Sequence, residues 1–439
     1  MGQPVSRNMC CSVRDKNEKV GPLLGAGQFA CVKVDLSLHQ PRAAAFGPVW
    51  DNGGTVVRRL AICSDSVVQV YRFSEESTEQ MVPQIILEYT LDLGSDKAVT
   101  AMIFTDELSS RHLAVAYGPA PDEEQQLLQT FSRVRVWSCG DDRRIPSEKF
   151  AQSPRREPTV WNEEKAFTGP MDEHAGAITR LAVSATYLIC ADSIGECSVW
   201  QKSRSFVRKA HAKLHNGPVA DLAVDRLFVY SCGQHDRCLS IWAVPDLQPV
   251  FSVDVEIPGD LLVGLGEPYR HDIAAMPGCR LSSLTSLRRP LSRWAGSQGS
   301  NRSPNIPRGT VFIAGILAEG VQVAGTGAGV LMEWSLGPTP RCTCAVIAAS
   351  SPIACMAYGP YDNGPLLTAS VDGVFRIWDC VPRLTMSQQT HIVGCNPAMG
   401  FQSIVVEPQY SLYSIGGENK LLVWRRLDFS DIPDETETS

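Results

Sequence analysis

Residues 365–379 read PLLTASVDGVFRIWD. Two apolar runs of strand length, Pro365–Ser370 and Val374–Asp379, flank Val371, Asp372 and Gly373. An Asp-Gly step between two such runs predicts a β-hairpin, because both residues accept the positive φ that tight hairpin turns demand. Trp378 lies near the end of the second run, six residues after Asp372. The same six-residue spacing separates Asp236 from Trp242 and Asp65 from Tyr71.

Working outward from this hairpin, short β-branched segments that end in an aromatic residue recur along the chain. They are VVQVYRF (Tyr71), SRVRVWS (Trp137), ECSVWQK (Trp200), CLSIWAV (Trp242), VLMEWSL (Trp334), VFRIWDC (Trp378) and LLVWRRL (Trp424). The aromatics are spaced 66, 63, 42, 92, 44 and 46 residues apart. Three of these gaps match a repeat of about 40–45 residues, and the others read as the same unit carrying insertions. Each unit also has an upstream apolar segment, such as Ala177–Val183, Val219–Val224 or Ile353–Tyr358. His174 stands 26 residues before Trp200, and His215 stands 27 before Trp242.

With these units the chain resembles the WD40 family over residues 29–428. The resemblance is strongest in the Trp378-Asp379 unit. The Gly-His dipeptide of the family is absent, and only His174 and His215 take its place. The resemblance implies an all-β, seven-bladed WD40 β-propeller, each blade a four-stranded antiparallel sheet. It also implies that the buried His–Ser/Thr–Trp–Asp network of the family is incomplete here. The repeat aromatics, with His174, His215, Asp236, Asp372 and Asp379, read as structural positions. A blade cannot bury both faces alone, so its stability comes from its neighbours. The last unit lacks a fourth strand, and Phe29–Leu38 precedes the first unit as an orphan. The two are expected to pair and so protect two open edges.

Three insertions are expected. Residues 119–131 carry Asp122, Glu123 and Glu124; residues 138–172 carry four prolines; residues 258–309 form the longest. From Arg280 to Arg308 there are six arginines and no acid. This stretch reads as a mobile arm, with Arg288, Arg289 and Arg293 as candidate contacts for an anion, since guanidinium fits phosphate oxygens bidentately. Residues 429–439 form an acidic C-terminal tail.

The start, Met1-Gly2-Gln3-Pro4-Val5-Ser6, fits an N-myristoylation signal once Met1 is removed. Cys10 and Cys11 follow closely, so Gly2, Cys10 and Cys11 are the candidate lipidation residues. One myristoyl chain binds only marginally, with K of about 10⁴ M⁻¹, and a second acyl group makes anchoring stable. Residues 1–28 read as a disordered, acylated tail.

The net charge of −7 disfavours nucleic acid as partner. The longest apolar run, Val311–Ala318, is too short for a membrane-spanning helix, and no secretory apolar core opens the chain. The 15 cysteines include no CxxC pair and do not resemble a disulfide framework. Cys232, His235 and Cys238 could be drawn with His211 and His215 as a zinc cluster, but Cys232 and Cys238 fall on opposite arms of a hairpin. No metal, cofactor, small-molecule substrate or catalytic residue is assigned. The expected role is a non-enzymatic scaffold for other proteins, peripheral on a cytoplasmic membrane face. The alternative is a soluble WD40 adaptor or a regulatory subunit of a ubiquitin-ligase or RNA-modifying complex. Val381 stands where a Trp-Asp-x-Arg adaptor signature needs arginine, which disfavours a ligase receptor.

Overall fold

The computed structural model describes residues 28–35, 43–47, 50–51, 56–74, 84–105, 112–119, 132–139, 161–164, 174–202, 206–225, 227–255, 262–263, 280–287, 309–316, 328–336, 339–358, 366–371, 373–380, 384–391, 401–406, 412–416 and 420–427. Among the described residues every regular element is a strand, and the strands form seven sheets. The chain divides into two compact units, one of Pro41–Val255 and one of Met1–Gln40 with Glu256–Ser439.

The first unit holds four sheets, numbered here as blades in chain order. Blade 1 comprises Ala43–Phe46, Val56–Ser64, Val67–Ser74 and Gln84–Asp92, with Trp50–Asp51 as a short side pairing. Blade 2 comprises Lys97–Phe104, His112–Pro119, Arg133–Cys139 and Trp161–Glu164. Blade 3 comprises Ile178–Val183, Tyr187–Asp192, Glu196–Gln201 and Val207–Lys213. Blade 4 comprises Val219–Val224, Phe228–Gly233, Cys238–Ala243 and Gln248–Asp254. First strands of successive blades meet: Lys97–Phe104 touches Ala43–Phe46 and Ile178–Val183, which touches Val219–Val224.

The second unit holds three. Blade 5 comprises Arg280–Leu287, Gly309–Ile316, Gly329–Leu336 and Arg341–Ala349, with Leu262–Val263 parallel on its outer edge. Blade 6 comprises Ile353–Tyr358, Leu366–Ser370, Val374–Asp379 and Thr385–His391. Blade 7 comprises Phe401–Val406, Leu412–Gly416, Lys420–Leu427 and, as its fourth strand, Gln28–Asp35. Gln28–Asp35 runs antiparallel to Lys420–Leu427 in unbroken register from Gln28 opposite Leu427 to Asp35 opposite Lys420. This is the pairing anticipated from the orphan segment.

The apolar cores lie between blades. Leu113, Val115 and Trp137 of blade 2 pack with Cys63 and Val70 of blade 1. Val136 packs with Leu188 and Trp200 across blades 2 and 3, and Val199 with Leu222 and Val229 across blades 3 and 4. Phe312 and Leu331 of blade 5 pack with Leu366 and Trp378 of blade 6. Second strands such as Phe228–Gly233 and Leu366–Ser370 are therefore buried at every position, and they read as continuous apolar runs rather than as alternations. The fourth strands of blades 3 and 4 face solvent: in Val207–Lys213 and Gln248–Asp254 no side chain is buried.

Two expected insertions need correction. Trp161–Glu164 lies inside 138–172 yet forms the fourth strand of blade 2. Two adjacent acids make it look like loop, but an edge strand tolerates and benefits from charge. Within 258–309, Arg280–Leu287 is the first strand of blade 5, so that part of the arginine-rich stretch is sheet. Its leucines recur every third residue, and the register shift between Leu281 and Ser283 accommodates the extra residue. Gly309–Ile316 is accordingly the second strand of its blade.

Candidate functional site

Blade 3 contains a complete polar network. His174 precedes the first strand and bridges to Ser132 of blade 2. Its Nδ1 lies 3.0 Å from Asp192 Oδ2, and its Nε2 lies 2.7 Å from Ser198 Oγ. Trp200 Nε1 donates to the same Ser198 Oγ at 2.9 Å. A carboxylate only accepts, so His174 donates from Nδ1, and Nε2 accepts the Ser198 hydroxyl proton. Each donor then has one acceptor, from indole to hydroxyl to imidazole to carboxylate. Asp192, fully buried, spends its other oxygen on the backbone N–H groups of Ile194 and Glu196, closing the turn.

The next blade repeats the network without its indole. His215 Nδ1 meets Asp236 Oδ2 at 3.1 Å, and Nε2 meets Ser231 Oγ at 2.8 Å. Trp242 Nε1 is buried without an acceptor among the described residues. Burial would push the Asp236 carboxyl up, but the bonds from His215 and from the backbone of Asn216 and Cys238 prevail and hold it below its ordinary value. Blade 6 keeps the other half: Trp378 Nε1 donates to Thr368 Oγ1 at 2.9 Å. The network expected to be incomplete is therefore whole in blade 3. The reason is an exchange across the ladder. Thr368 and Ser231 occupy one position of the second strand, Cys190 replaces the hydroxyl there in blade 3, and Ser198, directly opposite Cys190, restores it.

Turn geometry links blades 3 and 4. Gly195 has φ +91°, and its carbonyl accepts from Leu214 N at 2.8 Å and His215 N at 3.3 Å. A Cβ at Gly195 would collide with the His215 backbone.

The remaining sequence candidates fall as follows. Tyr71, Trp137, Trp200, Trp334 and Trp378 are buried in the third strands of their blades, Trp242 is half-buried in its third strand, and Trp424 lies in Lys420–Leu427. Burial raises the Asp379 carboxyl above its ordinary value. Gly2, Cys10, Cys11, Asp372, Arg288, Arg289 and Arg293 lie outside the described residues, as do residues 120–131 and 429–439. Cys232 is buried with its thiol pushed up by desolvation, while Cys238 contacts Ser252 at 2.7 Å. Among the described residues, the group suited to hold a metal ion is His174, Glu196 and His211. Glu196 has no sequence signal of its own; only the register of the third and fourth strands brings it to the histidines.

Two solved structures resemble the chain over most of its length. One, titled as the crystal structure of the mitotic checkpoint complex, aligns at TM-score 0.52 and 13% identity, over 90% of this chain and 95% of that one. The other, the WD40 β-propeller domain of Doa1, aligns at TM-score 0.51 and 13% identity, over 90% and 96%. The fold is that of a WD40 β-propeller. No family model and no curated protein matches the sequence. The WD40 fold explains why hydroxyl, imidazole and carboxylate groups cluster beside the hairpin turns of blades 3 and 4: there they clamp the turn to the strand that enters each blade.

Proposed function

We propose that the chain is a non-enzymatic scaffold for other proteins, tethered to a cytoplasmic membrane face through acylated Gly2 and Cys10 or Cys11. The observation that supports the scaffold is the division of labour within blades 3 and 4. Central strands are spent on packing between blades, and fourth strands such as Val207–Lys213 and Gln248–Asp254 offer their polar side chains outward. One structural neighbour is titled as part of a complex, and a rigid display surface suits assembly with protein partners. The tether rests on the sequence Met1-Gly2 through Cys11. Confining a scaffold to a surface raises the effective concentration of what it holds.

Fractionation of the full-length protein tests this reading. Wild type is expected in the membrane pellet with incorporation of a myristate analogue, and Gly2→Ala in the supernatant without it. Cys10→Ser/Cys11→Ser is expected to retain the label but to wash off the membrane. Equal partition of wild type and Gly2→Ala would overturn the tether and leave the soluble adaptor.

A further inference from the structure

The sequence alone assigns no metal, yet blade 3 gathers a donor set around its histidine network. Ser198 and His211 stand directly opposite each other on the third and fourth strands, and Glu196 lies two residues before Ser198. Residues opposite in an antiparallel pair share a face, as do residues two apart along a strand. His174 reaches that face by its contact with Ser198. One donor atom from each of His174, Glu196 and His211 falls within 4.8 Å of the others. We propose that these three residues form a zinc-type metal site.

Three observations support this. First, the hydrogen bond from His174 Nδ1 to Asp192 fixes the tautomer that leaves a lone pair on Nε2. A carboxylate behind an imidazole is the usual outer partner of a metal-bound histidine. Second, His211 Nε2 and Glu196 Oε2 are 3.4 Å apart. Metal bonds of about 2.0–2.2 Å in a tetrahedron place neighbouring donors about 3.3–3.5 Å apart. The pair thus needs little movement to share an ion. Third, exposure rises from His174 (5%) through Glu196 (26%) to His211 (35%), which gives an ion a path inward from solvent. Two imidazoles and one carboxylate suit Zn²⁺ and leave one tetrahedral position to water. Neither Cys190 nor Cys197 belongs to this donor group.

Nε2 has a single lone pair, which the Ser198 hydroxyl now engages. Metal and Ser198 therefore compete for it. Binding would detach Ser198 from His174 while the Trp200–Ser198 and His174–Asp192 bonds persist.

The test is titration of the full-length protein with Co²⁺ alone, followed by displacement with Zn²⁺. The expected result is one equivalent of Co²⁺ with visible ligand-field bands and no sulfur-to-cobalt charge transfer. His211→Ala and Glu196→Gln, both at partly exposed positions, should each weaken binding at least about tenfold without lowering the melting temperature. Ser198→Ala should bind more tightly than wild type even if it melts earlier, because the competitor is gone. A purely structural role for the cluster would give the opposite sign. Absence of binding, binding indifferent to His211→Ala and Glu196→Gln, a thiolate band, or weaker binding in Ser198→Ala would each overturn the proposal.

Discussion

Asp236 shows how much one side chain holds in this fold. It faces His215 and accepts from the backbone of Asn216 and Cys238, so it ties the turn of blade 4 to the segment entering that blade. Its carboxyl is held below its ordinary value, chiefly because those bonds outweigh the cost of burial. A carboxylate depressed in the folded state contributes stability above the unfolded value, about 3.9. That contribution is lost as pH falls through the folded value. Asp236→Asn keeps the shape and removes the charge. It is expected to destabilise the protein at pH 7 by about 1.5–3 kcal/mol, the worth of hydrogen bonds to a charged group. In chemical denaturation the gap between the two proteins should shrink steadily as pH drops below about 4. A gap that stays constant from pH 7 to pH 3 would show that the charge contributes nothing. At this scale the sequence was partly legible: His174 and His215 stand out by their distance from the repeat tryptophans. Ser198 and Glu196 do not, because their roles depend on which residue lies across the ladder, and that register is not written in local spacing.

At the level of strands, the repeat carries a second signature that composition hides. In blades 1, 3, 4, 5 and 6 the register shifts between the third and fourth strands immediately before the aromatic: at Val70/Tyr71, Val199/Trp200, Ile241/Trp242, Glu333/Trp334 and Ile377/Trp378. The extra residue sits in the fourth strand, as Lys209 does between Ala210, opposite Val199, and Arg208, opposite Trp200. A bulge here increases local twist and keeps the face pattern on both sides of it. Deleting Lys209 removes the extra residue. Arg208 and Ala210 then become neighbours opposite Trp200 and Val199, the ladder runs without a bulge, and the added local twist before the aromatic is lost. The expected outcome is a lower melting temperature, whereas Lys209→Ala, which keeps the residue count, should melt like wild type. Equal melting of the deletion and the substitution would refute the register argument. Strands were legible where β-branched residues accumulate before an aromatic. They were not legible in Arg280–Leu287 or Trp161–Glu164. The first is serine-rich with leucines at a spacing of three, and the second is a short charged edge; pairing with the neighbouring strand, rather than intrinsic preference, makes both of them sheet.

Across the whole chain, six blades draw their four principal strands from one continuous stretch, and blade 7 takes its fourth strand from the other end of the sequence. The eight pairs between Gln28–Asp35 and Lys420–Leu427 are therefore contacts of very high sequence separation, slow to form and absent from any fragment that begins later. They also cover an edge whose sequence, LLVWRR over residues 421–426, is apolar enough to recruit another chain. Removing residues 28–35 while keeping the rest should cost on the order of 5 kcal/mol, from about eight hydrogen bonds at somewhat under 1 kcal/mol each. Light scattering should then report association that rises with concentration. A synthetic peptide with the sequence of residues 28–35, QFACVKVD, should restore the melting temperature and suppress association when added in excess, since a ligand that binds only the folded form stabilises it by mass action. A scrambled peptide of the same composition should do neither. If the shortened chain melted like wild type, or if both peptides rescued it equally, the pairing of the chain's first strand with its last would not be what holds blade 7 together.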